Sequence, residues 1–216
     1  EVNKYTGRQV PVYLYTCAPV YRMGRKIRVG IIFGGRSGEH EVSLMSARSV
    51  LKAINKDKYD VTLIGITKEG KWIGGDDPMR ALESGAVDAP ATALLGEPQF
   101  RALMQVAEQP GGKAVTLSSV AELDVIFPLL HGTFGEDGTV QGLLELANIP
   151  YVGAGVVGSA VGMEKGIFKS LMAAAGVPVS KWIMALRSEI ERDPQAVIAK
   201  AEAMIPYPLF TKPANL

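Results

Sequence analysis

Apolar positions fall into two alternating textures along the chain: short unbroken runs, and stretches striped at a period near 3.6 residues. Arg28-Val29-Gly30-Ile31-Ile32-Phe33 is a run rich in β-branched residues, as expected of a strand buried on both faces. A polar, glycine-containing turn follows. Then Ala47, Val50, Leu51 and Ile54 recur at helical spacing, and 60–66 is again a strand-like run. Strand, helix and strand over 28–66 predict one βαβ unit with a right-handed parallel connection. The sequence Leu123-Asp124-Val125-Ile126-Phe127-Pro128-Leu129-Leu130 predicts a further buried strand. After its loop, Val140, Leu143, Leu144 and Ala147 predict a helix.

Elsewhere the pattern is looser. A short strand is expected at 72–73, and 74–119 reads as a surface insertion with a helix over 98–108, from Phe100, Leu103, Met104 and Ala107. A short strand at 150–152 is expected to end the sheet. Past Gly153 the character changes. Helices over 156–161, 167–175 and 194–204, with strands over 179–186 and 208–213, read as the opening of a second, α+β domain. The expected organisation is a leader over 1–24, an α/β domain over 25–153 and an incomplete domain over 154–216. In the leader, Val10-Pro11-Val12-Tyr13-Leu14-Tyr15 reads as a short strand-like stretch, yet Pro11 and Pro19 interrupt the neighbourhood, and Met23 would make a natural start.

Composition narrows the function classes. The chain has 216 residues with 23 Lys+Arg against 22 Asp+Glu, so no basic field argues for nucleic acid, and no basic amphipathic helix for a membrane surface. No apolar run approaches the about 20 residues that span a bilayer. A single cysteine, Cys17, forms no intrachain disulfide and suits a reducing cytoplasm.

Two loops carry the candidate chemistry. Gly34-Gly35-Arg36-Ser37-Gly38-Glu39-His40-Glu41 lies between a strand and a helix, where phosphate loops sit, yet it is not GxGxxG. Carboxylates at a helix N-terminus favour the helix dipole by roughly 0.3–1 kcal/mol and would repel a phosphate. The turn suits a cation such as an ammonium group, or else Glu39 and Glu41 are ordinary first-turn residues on a solvated face. The second loop, His131 to Gly142, sets a histidine, four glycines and two carboxylates at the carboxyl end of a central strand, where open sheets bind ligands. Read alone, it is also compatible with a plain glycine-rich turn.

Together with Phe210-Thr211-Lys212-Pro213-Ala214-Asn215, these loops resemble, in order and context, the motifs of the D-alanine–D-alanine ligases of the ATP-grasp superfamily. The resemblance implies a Rossmann-like parallel sheet (the pre-ATP-grasp domain) followed by the start of an ATP-grasp α+β domain. It implies ATP-dependent joining of two D-alanines for the peptidoglycan precursor, through an acylphosphate, with Mg²⁺ on the phosphates, in a cytoplasmic homodimer. By that resemblance Glu39 holds the ammonium of the first D-alanine, a charge-assisted contact worth roughly 1.5–3 kcal/mol. His131 orients the same amino acid, and Val42 and Ser43 line that end of the pocket. Lys165 and Lys212 face the ATP phosphates; for Lys165, a solvated helix lysine beside Glu164 is the plain alternative.

The family's serine-rich phosphate loop, adenine pocket and Mg²⁺ ligands would lie beyond Leu216. The chain is therefore expected to be a fragment that does not catalyse ligation alone. Competing readings are a non-catalytic amino-acid-binding or dimerisation module, a ligase using D-lactate or D-serine second, and an unrelated Rossmann-like nucleotide-binding domain, which the acidic first loop disfavours.

Overall fold

The computed structural model describes residues 25–85, 89–109, 112 and 114–215, and the expectations for 1–24 lie outside the described residues. In chain order the elements are β1 (Ile27–Gly34), α1 (His40–Ala53), β2 (Tyr59–Ile66), β3 (Trp72–Ile73), α2 (Pro78–Ser84), β4 (Ala91–Leu94) and β5 (Ala102–Glu108). They continue with β6 (Val115–Glu122), β7 (Val125–Pro128), α3 (Thr139–Leu146), α4 (Val156–Met163), α5 (Lys165–Ala174), α6 (Arg187–Arg192) and α7 (Pro194–Met204).

One seven-stranded sheet runs in the order β6-β5-β4-β3-β2-β1-β7. The expected parallel arrangement holds for β2, β1 and β7, whereas β3 to β6 pair antiparallel. Alternate residues of β1 enter different cores, which explains its unbroken apolar run. Ile32 packs in one with Ile64, Ile126 and, from α3, Val140 and Leu144. Ile31 and Phe33 pack in the other with Leu44 and Ala47 of α1 and Met79 of α2.

The antiparallel half corrects the expectation of a surface insertion. Residues 98–108 hold no helix; Ala102–Glu108 is a strand paired with β4 on one side and β6 on the other. Leu103 and Met104 are both buried there, so sheet pairing overrides a local spacing that suited a helix. Four further strands also differ. The run expected over 123–130 is a strand only over Val125–Pro128. That at 150–152 reduces to one parallel bridge, Tyr151 to Ile126. No strand forms over 179–186 or 208–213; a bridge from Asn215 to Glu164 is what pairs near the latter. Strands need neighbours, and the described residues after Gly153 supply helices instead. Of those helices, α7 matches its expected bounds, and α4 and α5 shift by one to two residues.

β7, expected to be central, ends the strand order with only the Tyr151 bridge beyond it among the described residues, and the start of the β1–β7 pair is clamped electrostatically. Asp124, just before β7, accepts from the Arg28 backbone N–H at 2.9 Å and from its guanidinium at 2.7 and 3.1 Å; Arg25 adds a contact at 2.8 Å. Arg28 also pairs with Glu122. The Arg28 hydrogen bonds hold the Asp124 carboxyl well below the usual carboxylate range, against the opposing effect of burial. A depressed carboxylate contributes stability that is present above its unfolded value and lost as pH falls through the folded one. The urea midpoint should therefore drop as pH is lowered from about 4, and Asp124→Asn should flatten that drop. An unchanged pH dependence in the variant would contradict the clamp.

Candidate functional site

Since β1 and β7 are adjacent and parallel, their carboxyl ends deliver two loops to one edge of the sheet. The first leaves β1 through Gly34 at φ +90°, where a Cβ would strike the Ile66 carbonyl. Gly35 N–H donates to that carbonyl at 2.9 Å, and buried His40 donates from Nδ1 to the Gly35 carbonyl at 2.8 Å. The acidic turn is thereby tied to β2 and to the first turn of α1.

Serines stitch the two loops together. Ser43, fully buried, accepts from Gly34 N–H at 2.8 Å and donates to the Leu129 carbonyl at 2.5 Å. Ser37 donates to the His131 carbonyl at 2.6 Å and accepts from Glu39 N–H at 3.2 Å. The Ser46 hydroxyl lies 2.9 Å from His131 Nε2. Arg36 spans the mouth with its guanidinium 4.6 Å from the centre of the Phe134 ring, a cation–π contact.

The second loop is braced from within. Gly132, at φ +71°, donates its N–H to Glu136 at 2.8 Å, and the Gln141 amide donates to the Gly135 carbonyl at 2.9 Å. Asp137 accepts from the N–H groups of Phe134 and Thr139 at 2.9 and 3.0 Å. Burial works to raise its carboxyl, but those hydrogen bonds outweigh it and hold the group below its ordinary value. Glu136 and Asp137 thus serve the loop's own amides.

Glu39 and His131 come together on this framework. Glu39 is solvent-exposed, yet its Oε2 sits 3.0 Å from where a Cβ on Gly132 would lie, beside the half-buried His131. Glu41 is drawn instead to Lys68, at 2.8 Å. That leaves Glu39 as the carboxylate over the second loop. Val42 is half-exposed on the first turn of α1, while the Ser43 hydroxyl is committed to backbone on both sides. Along the outer side of the second loop, a cleft of about 410 Å³ is lined by Leu130, Gly135, Gln141 and, from α4, Ser159 and Met163. A cleft of about 610 Å³ opens at the opposite end of the strands, where Arg28 is already paired with Asp124.

Lys165 and Lys212 form a second neighbourhood. Lys165 opens α5, its N–H donating to the Ala214 carbonyl at 2.9 Å, and Glu164 bridges Asn215. The exposed Lys212 stands two residues before Ala214, so the antiparallel bridge sets the two lysines on adjacent segments. Glu164 caps α5 by accepting from Ile167 N–H at 2.6 Å. Sequence reasoning missed Ser37, Ser46, His40 and Gln141. The usable signal was helical spacing: Glu39, Ser43 and Ser46 fall at i, i+4 and i+7, on one face of α1.

An acidic turn and a histidine-bearing loop thus meet at the carboxyl edge of an α/β sheet. Residues 28–154 match the D-ala D-ala ligase N-terminus family. D-alanine–D-alanine ligases of Natranaerobius thermophilus and Deinococcus radiodurans are 45% and 46% identical, over 89% and 88% of this chain and 51% and 50% of theirs. Among solved structures, the VanG D-Ala:D-Ser ligase of Enterococcus faecalis is 33% identical with a TM-score of 0.70, covering 88% of this chain and 53% of that one. The D-alanine–D-alanine ligase of Coxiella burnetii, also 33% identical, gives 0.62, covering 81% and 50%.

The chain belongs to the D-ala D-ala ligase N-terminus family. It spans about half the length of the curated relatives it matches. Among the described residues no helix is long and apolar enough to cross a membrane.

Removing the Ser43 hydroxyl should leave the Gly34 N–H and the Leu129 carbonyl short of a partner. Ser43→Ala is expected to lose about 1–3 kcal/mol of unfolding free energy in urea. Ser49→Ala, exposed on the same helix, should change it by less than about 0.5 kcal/mol. Equal effects would contradict the stitching role.

Proposed function

We propose that this chain supplies the first-substrate half of an ATP-dependent ligase that joins two D-alanines for peptidoglycan synthesis. The observation that carries the reading is the Glu39 carboxylate lying over Gly132, next to His131. An ammonium entering there meets a negative charge at a helix N-terminus, and the amino acid's other end meets the imidazole. Val42 adds an apolar contact beside them, and Ser43 fixes the shape of the junction. The boundary near Gly153 accords with a family match ending at residue 154.

In the proposed reaction the γ-phosphoryl of ATP passes to a carboxylate oxygen of the first D-alanine. The amine of the second attacks the resulting acylphosphate, forming the peptide bond and releasing phosphate. Neither step asks this chain for a nucleophile; it supplies position and charge. Lys165 and Lys212, gathered by the bridge at Asn215, suit a triphosphate whose charge must be neutralised. Mg²⁺, when bound to the phosphates, supplies further neutralisation. Among the described residues no three His, Cys, Asp or Glu side chains are grouped to hold a metal, so none is assigned to it. A cytoplasmic homodimer belongs to the same reading. A second reading, D-serine as the second substrate, is favoured by the likeness to VanG and keeps the same first site.

The test is ligand-dependent thermal stability of the chain. A ligand at 100 times its Kd stabilises by about 2.7 kcal/mol. D-alanine is expected to raise the Tm, and Glu39→Gln to weaken its apparent affinity about ten- to a hundredfold while leaving the response to ATP intact. Lys212→Ala should leave the response to D-alanine intact. Equal losses for both ligands in Glu39→Gln would overturn the assignment.

A further inference from the structure

The hydrogen bond between α1 and the imidazole of His131 is separable from those that hold the loop's path. The His131 carbonyl is held by Ser37 at 2.6 Å, the chain before it by Ser43 on Leu129, and the chain after it by Glu136 on Gly132. Each of these acts on backbone. The 2.9 Å contact from Ser46 to Nε2 acts on the ring alone. Ser46 is half-buried, and among the described residues the imidazole is the sole hydrogen-bond partner of its hydroxyl. That hydroxyl has one proton to give.

We propose that Ser46 is a positioning residue for His131, donating its hydroxyl proton to Nε2 so that the neutral ring carries its own proton on Nδ1 and presents it to the bound amino acid. A neutral imidazole has one donor and one acceptor nitrogen, and the bond made by one sets the role of the other. With Nε2 accepting, Nδ1 becomes an N–H donor suited to a carboxylate oxygen. Among the described residues no protein group bonds Nδ1. One face of α1 then does two jobs: Glu39 at its start meets the ammonium, and Ser46, two turns on, aims the ring.

The inference rests on the first-substrate reading above, and the experiment separates the two. The chain has two histidines, so nitrogen-15 spectra of the imidazoles resolve each ring. His40, whose Nδ1 must carry the proton it gives to Gly35, is an internal standard for that tautomer. In its neutral form, His131 is expected to show the Nδ1–H tautomer in the parent chain, a mixture in Ser46→Ala and the Nδ1–H tautomer again in Ser46→Thr. Ser46→Ala should also weaken D-alanine stabilisation about five- to tenfold, the size of one hydrogen bond, with ATP unaffected. A His131 spectrum unchanged in Ser46→Ala, or an Nε2–H ring in the parent chain, overturns the inference. Where the parent chain shows no response to D-alanine at all, the functional reading fails, and the ring spectrum still decides the role of Ser46.

Discussion

Parallel pairing of β1 with β7 is the constraint from which the site follows. In register, Val29 faces Val125 and Ile32 faces Pro128, so both strands run out at the same edge of the sheet. Whatever chemistry follows Phe33 must then meet whatever follows Pro128, although almost a hundred residues separate them. An antiparallel neighbour would send the two loops to opposite ends. At their starts, Asp124 holds both strands together through Arg25 and Arg28, so the pair is fastened at one end by charge and at the other by serine hydroxyls.

The two fastenings differ in kind. Asp124 and its arginines are partly open to water, where ion pairs are screened and add modestly. Ser43 is fully buried and holds two backbone groups, so losing its hydroxyl leaves the buried Gly34 N–H short of a partner. The carboxyl edge is thus more rigidly specified than the amino edge. In the proposed function rigidity matters there, because a carboxylate displaced by about 1 Å orients its ligand poorly.

Legibility in the sequence tracked burial. β1, β2, β7, α1 and α3 were readable because each is covered on the faces its apolar residues mark. The antiparallel half was not: Phe100, Leu103, Met104 and Ala107 have helical spacing, but Leu103 and Met104 are held by cross-strand pairing with Leu94 and Ser119, which helical periodicity does not report. The stretches 179–186 and 208–213 failed for the converse reason, strand-like residues with no neighbouring strand. In the site, Glu39 and His131 stood out by residue type. Ser37 and Ser46 did not: Ser46 shares a helix face with Glu39 and Ser43, but that spacing names no partner, and a hydroxyl gains its meaning from the loop brought opposite it.

The most direct measurement is a backbone amide chemical-shift titration of the chain with D-alanine. If the two carboxyl-edge loops form one receptor, shifts will be concentrated in 35–46 and 130–137, rising together with a single Kd. Shifts confined to one loop, or centred on the cleft around Phe100 and Arg101 at the far end of the strands, would contradict the account.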